Sequence, residues 1–383
     1  MKYDFIIVGA GLAGGVLARK LAEKNYRVLI VERRGHIAGN TYDFNGEHNI
    51  KLQKYGPHTL HTNDDSVYKF ITRFCEPVPY KTKCQAVVDG INTPTPFNFK
   101  TIDQFYSTDE AEALKKILRE YYGGRNSVTV VELLNSDEPK IKSFAEFLFE
   151  KDYRPYTSKQ WGIAPEKIDP SVLKRVPVVL SYGDTYFYDT YEFMPAEGFT
   201  AMYKNLTGHE NINIITKINA LDHISFNHEN ILYDGEIVNI IYTGAVDELF
   251  NYRFGILPYR SLEFVYKYLN VRSFQEVAIV AHPQVKDFTR ITEYSKLPEQ
   301  DCGGWTCVAY EYSGAYDKNS DRFNEPYYPV LTNESQKIYE QYKNYSERFK
   351  NLTLCGRLAD FKYYNMDQVI LRALKIFQDK WEI

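Results

Sequence analysis

YDFIIVGAGLAGGVLARKLAEKNYRVLIVERR, residues 3–34, lays out a strand, a tight turn, a helix and a second strand. Residues 3–8 are the short apolar run expected of a parallel strand covered on both faces. Gly9, Gly11 and Gly14 then spell GxGxxG. The first glycine allows the turn, the second lets backbone approach a pyrophosphate, and the third lets helix pack on strand. Helical periodicity continues through Val16, Leu17 and Leu21, and residues 27–31 form the second strand, ending at Glu32, 21 residues after Gly11. A carboxylate there accepts hydrogen bonds from an adenosine ribose and repels a 2′-phosphate. GxGxxG alone is a weak signal, but flanked by strand, helix, strand and acid it predicts a dinucleotide site, for which FAD and NAD both qualify.

Composition bounds what such a site can serve. The 383 residues suffice for two or three structural units, and the formal net charge of −4 gives no basic field for nucleic acid or a membrane surface. The first apolar run is too short and glycine-rich for a secretory signal, and no run approaches the ~20 residues of a membrane span, so a soluble cytoplasmic protein is expected. Five cysteines without CxxC spacing predict free thiols. His58 and His61 lie three apart, but no carboxylate pattern completes a metal site, and none is predicted. Thirty-three tyrosines offer flat faces and hydroxyls, suited to stacking and phosphate contacts as well as to ordinary packing.

The continuation ERRGHIAGN (32–40) resembles the flavoproteins of the glutathione-reductase and amine-oxidase group, which favours FAD and implicates Arg33, Gly39 and Asn40; Ala38 replaces the first glycine of the usual pair. No second GxGxxG marks a nicotinamide domain. DEAEALKKILREYY and IKSFAEFLFEKDY carry helical periodicity, and a helical insertion is read over 100–176. NINIIT and IVNIIYTGAVDELF read as strands returning to the nucleotide-binding sheet. EFVYKYL, EVAIVAH, DFTRITEY and WTCVAYEY suggest an antiparallel sheet. Near the end, NLTLCGR reads as a last strand closing on Gly356-Arg357, ahead of a terminal helix from Asn365 whose N-terminal partial charge could face a flavin edge. YTSKQWG (156–162) sets an indole in polar company, read as a loop residue that either packs or awaits a ligand.

KYGPHTLHTND (54–64), YTSKQWG, LKRVPV (173–178), YRFG (252–255), YRSLEF (259–264), TRITE (289–293), EPYYPV (325–330) and GRLADFKYYNMD (356–367) occur in an order that resembles the UDP-galactopyranose mutase family over nearly the whole chain. The resemblance implies an α/β fold: a discontinuous Rossmann-like FAD domain (1–78, 207–245, 350–383), an inserted helical domain with a mobile lid (100–176), and a twisted antiparallel sheet domain (79–99, 177–206, 246–349). It implies an isomerase that interconverts pyranose and furanose forms of a nucleoside-diphosphate hexose, UDP-galactopyranose to UDP-galactofuranose first of all, for cell surface polysaccharide. In the family, N5 of reduced FAD attacks the anomeric carbon and displaces the diphosphate, so an external reductant such as NADPH or a reduced flavin is implied, and a homodimer is compatible.

Residue roles follow from the matched motifs. Arg175, on the lid, and Arg290 match the two diphosphate arginines, and Tyr186, Tyr328 and Tyr363 match tyrosines donating hydroxyls to the phosphates. Tyr156 and Thr157 match positions at the base; Trp161 is expected to line the site and to be covered only when the lid closes. His58 and His61 match positions beside the flavin, Asn365 a position near the sugar, and Arg357 and Met366 the flavin end, with Gly9, Gly11, Gly14 and Glu32 on the rest of the cofactor. Asn365 stands where the family commonly has Asp, Val179 replaces an Arg, Glu197 a Gly and Tyr294 a His. These departures leave dTDP-fucopyranose and UDP-N-acetylgalactosamine open as substrates. An FAD-dependent amine oxidase or dehydrogenase, or a binding protein whose chemistry has decayed, are the readings of other classes.

Overall fold

The computed structural model describes residues 3–164, 166 and 176–382. A five-stranded parallel sheet is ordered Ile212–Thr216, Val28–Glu32, Phe5–Val8, Asn239–Tyr242 and Leu352–Leu354, so the first strand is central and the last reaches the edge from far along the chain. Registers are in phase, with Phe5 beside both Val28 and Asn239. On one face Ile7, Ile30 and Ile241 pack against Val16 and Leu21 of the helix Leu12–Ala22 and Ile370 and Phe377 of Met366–Trp381. On the other, Ile6, Leu29, Val31 and Ile240 meet Tyr342 and Phe349. Burial on both faces is why Phe5–Val8 and Val28–Glu32 read as continuous apolar runs, whereas the edge strand Ile212–Thr216 alternates.

The second large sheet has seven strands, ordered Tyr328–Pro329, Tyr259–Leu269, Thr306–Ala315, Arg290–Glu293, Ile279–Ala281, Cys84–Val88 and Ile91–Thr95. It departs from the expected antiparallel pattern once, where Ile279–Ala281 runs parallel to Cys84–Val88. A three-stranded sheet, Leu60–Thr62, Tyr191–Pro195 and Pro77–Pro79, carries His61. Helices Thr108–Tyr121 and Pro139–Leu148 bury Leu114, Leu118, Ile141 and Phe144 against one another. Among the described residues no helix is long and apolar enough to cross a membrane.

Two local readings need correction. IVNIIYTGAVDELF is a strand only over Asn239–Tyr242; Val246–Leu249 is a helical turn, since Asp247 and Glu248 suit a first turn better than a sheet. YTSKQWG is not a loop: a π-helical turn, Phe149–Tyr153, leads into the helix Arg154–Trp161, which stops at Gly162 in the left-handed region (φ 70°). Its polar residues hid it from periodicity, because only Thr157 and Trp161 of the helix are buried.

Candidate active site

The glycine turn is tight for stated reasons. A Cβ on Gly14 would sit 2.2 Å from the Gly9 carbonyl oxygen, and one on Gly9 2.1 Å from the Thr243 hydroxyl. Gly39, at φ 58°, brings the next loop to within 2.7 Å of Gly11 Cα if given a Cβ. Ala38 adopts φ 69°, the conformation that makes glycine usual there. The buried Glu32 carboxylate accepts the backbone N–H groups of Ala10 at 2.8 Å and Arg34 at 2.9 Å. These walls, with Arg357, Asn365 and Met366 opposite, bound a cleft with about 1190 Å³ of empty space including its mouth. The glycine cradle and the positioned acid fit a dinucleotide. Arg33, also on its wall, is paired with Glu248 at 3.3 Å and Glu325 at 3.1 Å, while Asn40 accepts from Arg34 at 3.0 Å. Arg34, not singled out by the sequence, is thus the more embedded cation.

Arg357 closes the far end. It donates to the carbonyls of Tyr364 at 2.6 Å and Tyr327 at 3.4 Å, lies 5.0 Å from the Tyr363 ring, and has no carboxylate partner among the described residues. Asn365 caps the terminal helix in a reciprocal arrangement with Gln368. His58 lines the cleft with Nδ1 2.7 Å from the Gly56 carbonyl. Burial pushes it down to about 4, with Arg357 and Arg290 adding to the effect, so it is neutral at physiological pH. The unfolded histidine takes a proton near 6.5 and the folded one only near 4, so the unfolded state binds more protons in that window and stability falls as pH falls through it. Asp152 and Asp247, raised by burial to about 7 and about 6, contribute the opposite slope, so the difference between variants is the useful quantity. His58→Asn is expected to lose less stability than the wild type between pH 6.5 and 4, measured as the urea midpoint at each pH.

The second sheet carries a cation close to His58 of that cleft. Arg290 Nε donates to Glu311 Oε2 at 2.6 Å across paired strands. Burial works against the guanidinium charge, but Glu311 outweighs it and holds Arg290 firmly protonated. Neither Nη nitrogen makes a hydrogen bond or ion pair among the described residues, and Nη2 lies 3.6 Å from where a Cβ on Gly56 would sit. Tyr156 faces Arg290 and Glu311, and burial drives its hydroxyl far from ionisation. Thr157 is buried in the same helix.

Trp161 and Tyr328 depart from expectation. Trp161 is only 3% exposed, with its ring 4.7 Å from Tyr328 and 6.0 Å from Tyr363, so it is already covered. Tyr328 is 1% exposed and its hydroxyl donates to the Gln160 carbonyl at 3.0 Å, which commits the proton expected on a phosphate. That carbonyl also accepts from Arg260 Nε at 2.8 Å and Ser313 at 2.7 Å. Arg260, only 8% exposed and without a carboxylate among the described residues, therefore anchors the end of the helix. Tyr363 lies between Arg357 and Trp161; Tyr186 packs edge-on to Phe187 at 4.8 Å. His61 Nδ1 is 2.5 Å from Asp189, and its ring stacks on Phe187 at 3.6 Å. Asp189, Glu311 and Arg260 were missed because nothing local marks them; Arg260 stood inside a quoted motif without a role. Arg175 lies outside the described residues. No three His, Cys, Asp or Glu side chains among the described residues form a metal-binding group.

The family model of UDP-galactopyranose mutase matches residues 151–363, and a model of the NAD(P)-binding Rossmann-like domain matches residues 7–74. A UDP-galactopyranose mutase from Mycoplasma genitalium is 34% identical over 383 residues, covering 98% of this chain and 94% of that protein. The chain belongs to the UDP-galactopyranose mutase family. It is also similar along its length to a dTDP-fucopyranose mutase of Escherichia coli, 31% identical with 97% of each chain covered. The fold matches a crystal structure of reduced UDP-galactopyranose mutase with a TM-score of 0.70 at 16% identity, covering 99% of this chain and 93% of that one.

As a family member the protein is an isomerase, and two of its departures, Val179 and Glu197, are absent from both the cleft lining and the Arg290–Glu311 surroundings, whereas Tyr294 neighbours that pair. Tyr294 is fully buried in the sheet core, donating to the Gln53 carbonyl at 2.8 Å. Val179 is buried in a two-stranded ribbon with Ser127, and Glu197 sits in a turn whose carbonyl accepts from Lys51 at 2.5 Å. Only Asn365 lines the cleft.

Proposed function

We propose that this protein uses reduced FAD to interconvert the pyranose and furanose forms of a nucleoside-diphosphate hexose, with UDP-galactose as its first candidate substrate. The observation that carries the reading is the Arg290–Glu311 pair: a half-buried guanidinium, fixed through Nε, with Nη2 beside Gly56, two residues before His58 of the dinucleotide cleft. Glu32 would hold the adenosine ribose, the Gly9–Gly14 backbone the pyrophosphate, and Arg357 with Asn365 the flavin end. When bound and reduced, the flavin supplies a nucleophilic nitrogen for an anomeric carbon.

The chain's own part is positioning and electrostatics. Arg290 binds the diphosphate and stabilises the charge that grows on it as the glycosidic C–O bond breaks, in a site where water does not screen it. Arg175 is assigned the second such cation by the family motif. Tyr156 offers a face to the nucleotide, and the Trp161–Tyr328–Tyr363 cluster keeps one side of the site dry. His58, being neutral, adds no competing charge. An amine oxidase would need an aromatic cage free of charge, which the Arg290–Glu311 pair contradicts.

The test is direct. Enzyme reduced with dithionite is incubated with UDP-galactose, dTDP-fucose and UDP-N-acetylgalactosamine, and pyranose is resolved from furanose by chromatography. Interconversion is expected only in the reduced state, and the ranking of the three identifies the sugar and the base. No interconversion of any nucleotide sugar would sink the reading.

A further inference from the structure

Gln53 ends the strand Lys51–Gln53 and is 2% exposed. Its side-chain amide holds the backbone of His58 at both polar groups: Oε1 accepts the His58 N–H at 2.5 Å, and Nε2 donates to the His58 carbonyl at 3.3 Å. Residues 54–58 are thereby closed into a ring by one side chain. Gln53 is braced in turn, because its own carbonyl accepts the hydroxyls of Tyr294 at 2.8 Å and Tyr266 at 3.0 Å. The amide has one usable orientation. Turned over, it would set oxygen against oxygen and N–H against N–H, with little water to relieve either.

The ring joins two parts of the site. Gly56, at φ 88°, approaches the second sheet so closely that a Cβ there would sit 2.9 Å from the Phe264 ring and 3.6 Å from Arg290 Nη2. Two residues on, His58 lines the dinucleotide cleft. Its Nδ1 is 2.7 Å from the Gly56 carbonyl; a carbonyl only accepts, so Nδ1 carries the proton and Nε2 is left as the acceptor of the imidazole. Between them the Tyr55 carbonyl accepts the hydroxyl of Tyr327, which also lines the cleft. The direction of the His58 imidazole, the clearance beside Arg290 and the Tyr327 hydroxyl thus depend on one loop, and that loop is closed by Gln53.

Resting on the mutase reading above, we propose that Gln53 is a positioning residue of the reaction: it acts through His58, setting the imidazole on the coenzyme cleft, and Tyr294 acts one step further back by holding Gln53. Gln53→Glu isolates this role with almost no change of shape. A carboxylate keeps the acceptor for the His58 N–H but has no donor for the His58 carbonyl, which it repels.

A double-mutant cycle on flavin-loaded enzyme tests this, with wild type, Gln53→Glu, His58→Ala and the double variant compared by the visible absorption of the bound flavin and by kcat and KM for UDP-galactose. Gln53→Glu is expected to lower kcat about 10- to 100-fold, the scale of a misplacement near 1 Å, with KM within about threefold of wild type. Its flavin band should move in the same direction as that of His58→Ala. In the His58→Ala background the same substitution should change kcat by less than about twofold, because the group it acts through is gone. Additive effects overturn the proposal, as does a Gln53→Glu enzyme with wild-type kcat and flavin band. If Gln53→Glu does not fold, Tyr294→Phe replaces it in the cycle, since it loses one hydroxyl and keeps the ring. A kcat lowered about 2- to 5-fold, and not lowered further once His58 is alanine, is then expected, and an unchanged kcat and band overturn the proposal. The band needs no substrate, so a coupled band shift in an enzyme that turns over no nucleotide sugar removes the mutase reading and leaves the placement of His58 by Gln53 standing.

Discussion

Arg290→Met is expected to lower kcat/KM by about 10²–10³-fold, the usual consequence of removing one preorganised charge partner of a transition state. The same change should destabilise the fold by about 3–5 kcal/mol, because Glu311 is left buried without its cation. The Thr289 hydroxyl, 3.0 Å from Glu311 Oε1, satisfies only part of that carboxylate. The two effects separate in Arg290→Met/Glu311→Gln. A neutral amide needs no cation, so the urea midpoint should return most of the way to that of the wild type while turnover stays low. Restored turnover in the double variant would mean that Arg290 serves the fold and not the diphosphate. Flavin content should be unchanged in both, since Arg290 lies on the second sheet and does not line the dinucleotide cleft.

Gly14→Ala is expected to yield protein without its yellow colour. The added methyl would sit 2.2 Å from the Gly9 carbonyl oxygen and 3.1 Å from Ile7, and neither can retreat: one is backbone in a strained turn, the other is in the central strand. Helix and strand must move apart, at a cost of about 1–3 kcal/mol, and the turn opens by the distance the pyrophosphate needs closed. Flavin-to-protein absorbance after reconstitution measures it, and the loss of bound cofactor should lower the melting temperature further by mass action. Gly15→Ala is not an equivalent control, because its methyl would meet the Tyr203 ring at 2.6 Å. A wild-type flavin ratio in Gly14→Ala would show that the cofactor does not use this turn.

The parts legible in the sequence were those fixed by local backbone geometry. Gly9, Gly14 and Glu32 act within one strand–helix–strand unit, and Gly356-Arg357 announced a strand end and a cation together. The aromatic wall was not legible in the same way. Trp161 is covered by Tyr328, and Gln160 is held by Arg260, Ser313 and Tyr328, partners 100, 153 and 168 residues away. A polar segment looks like a loop until its distant donors are known. The motif named Tyr328 for its hydroxyl, but a hydroxyl has one proton, and which acceptor takes it depends on the packing of three separate elements.

The parallel sheet takes its centre from the start of the chain and its edge from Leu352–Leu354, and Arg357, Asn365 and Met366 complete the cleft just after that edge. A polypeptide still emerging from the ribosome therefore has its glycine turn long before it has the opposite wall. Coenzyme capture must then be a late, essentially post-translational event, and polypeptides released before that wall exists should be colourless and short-lived in the cell.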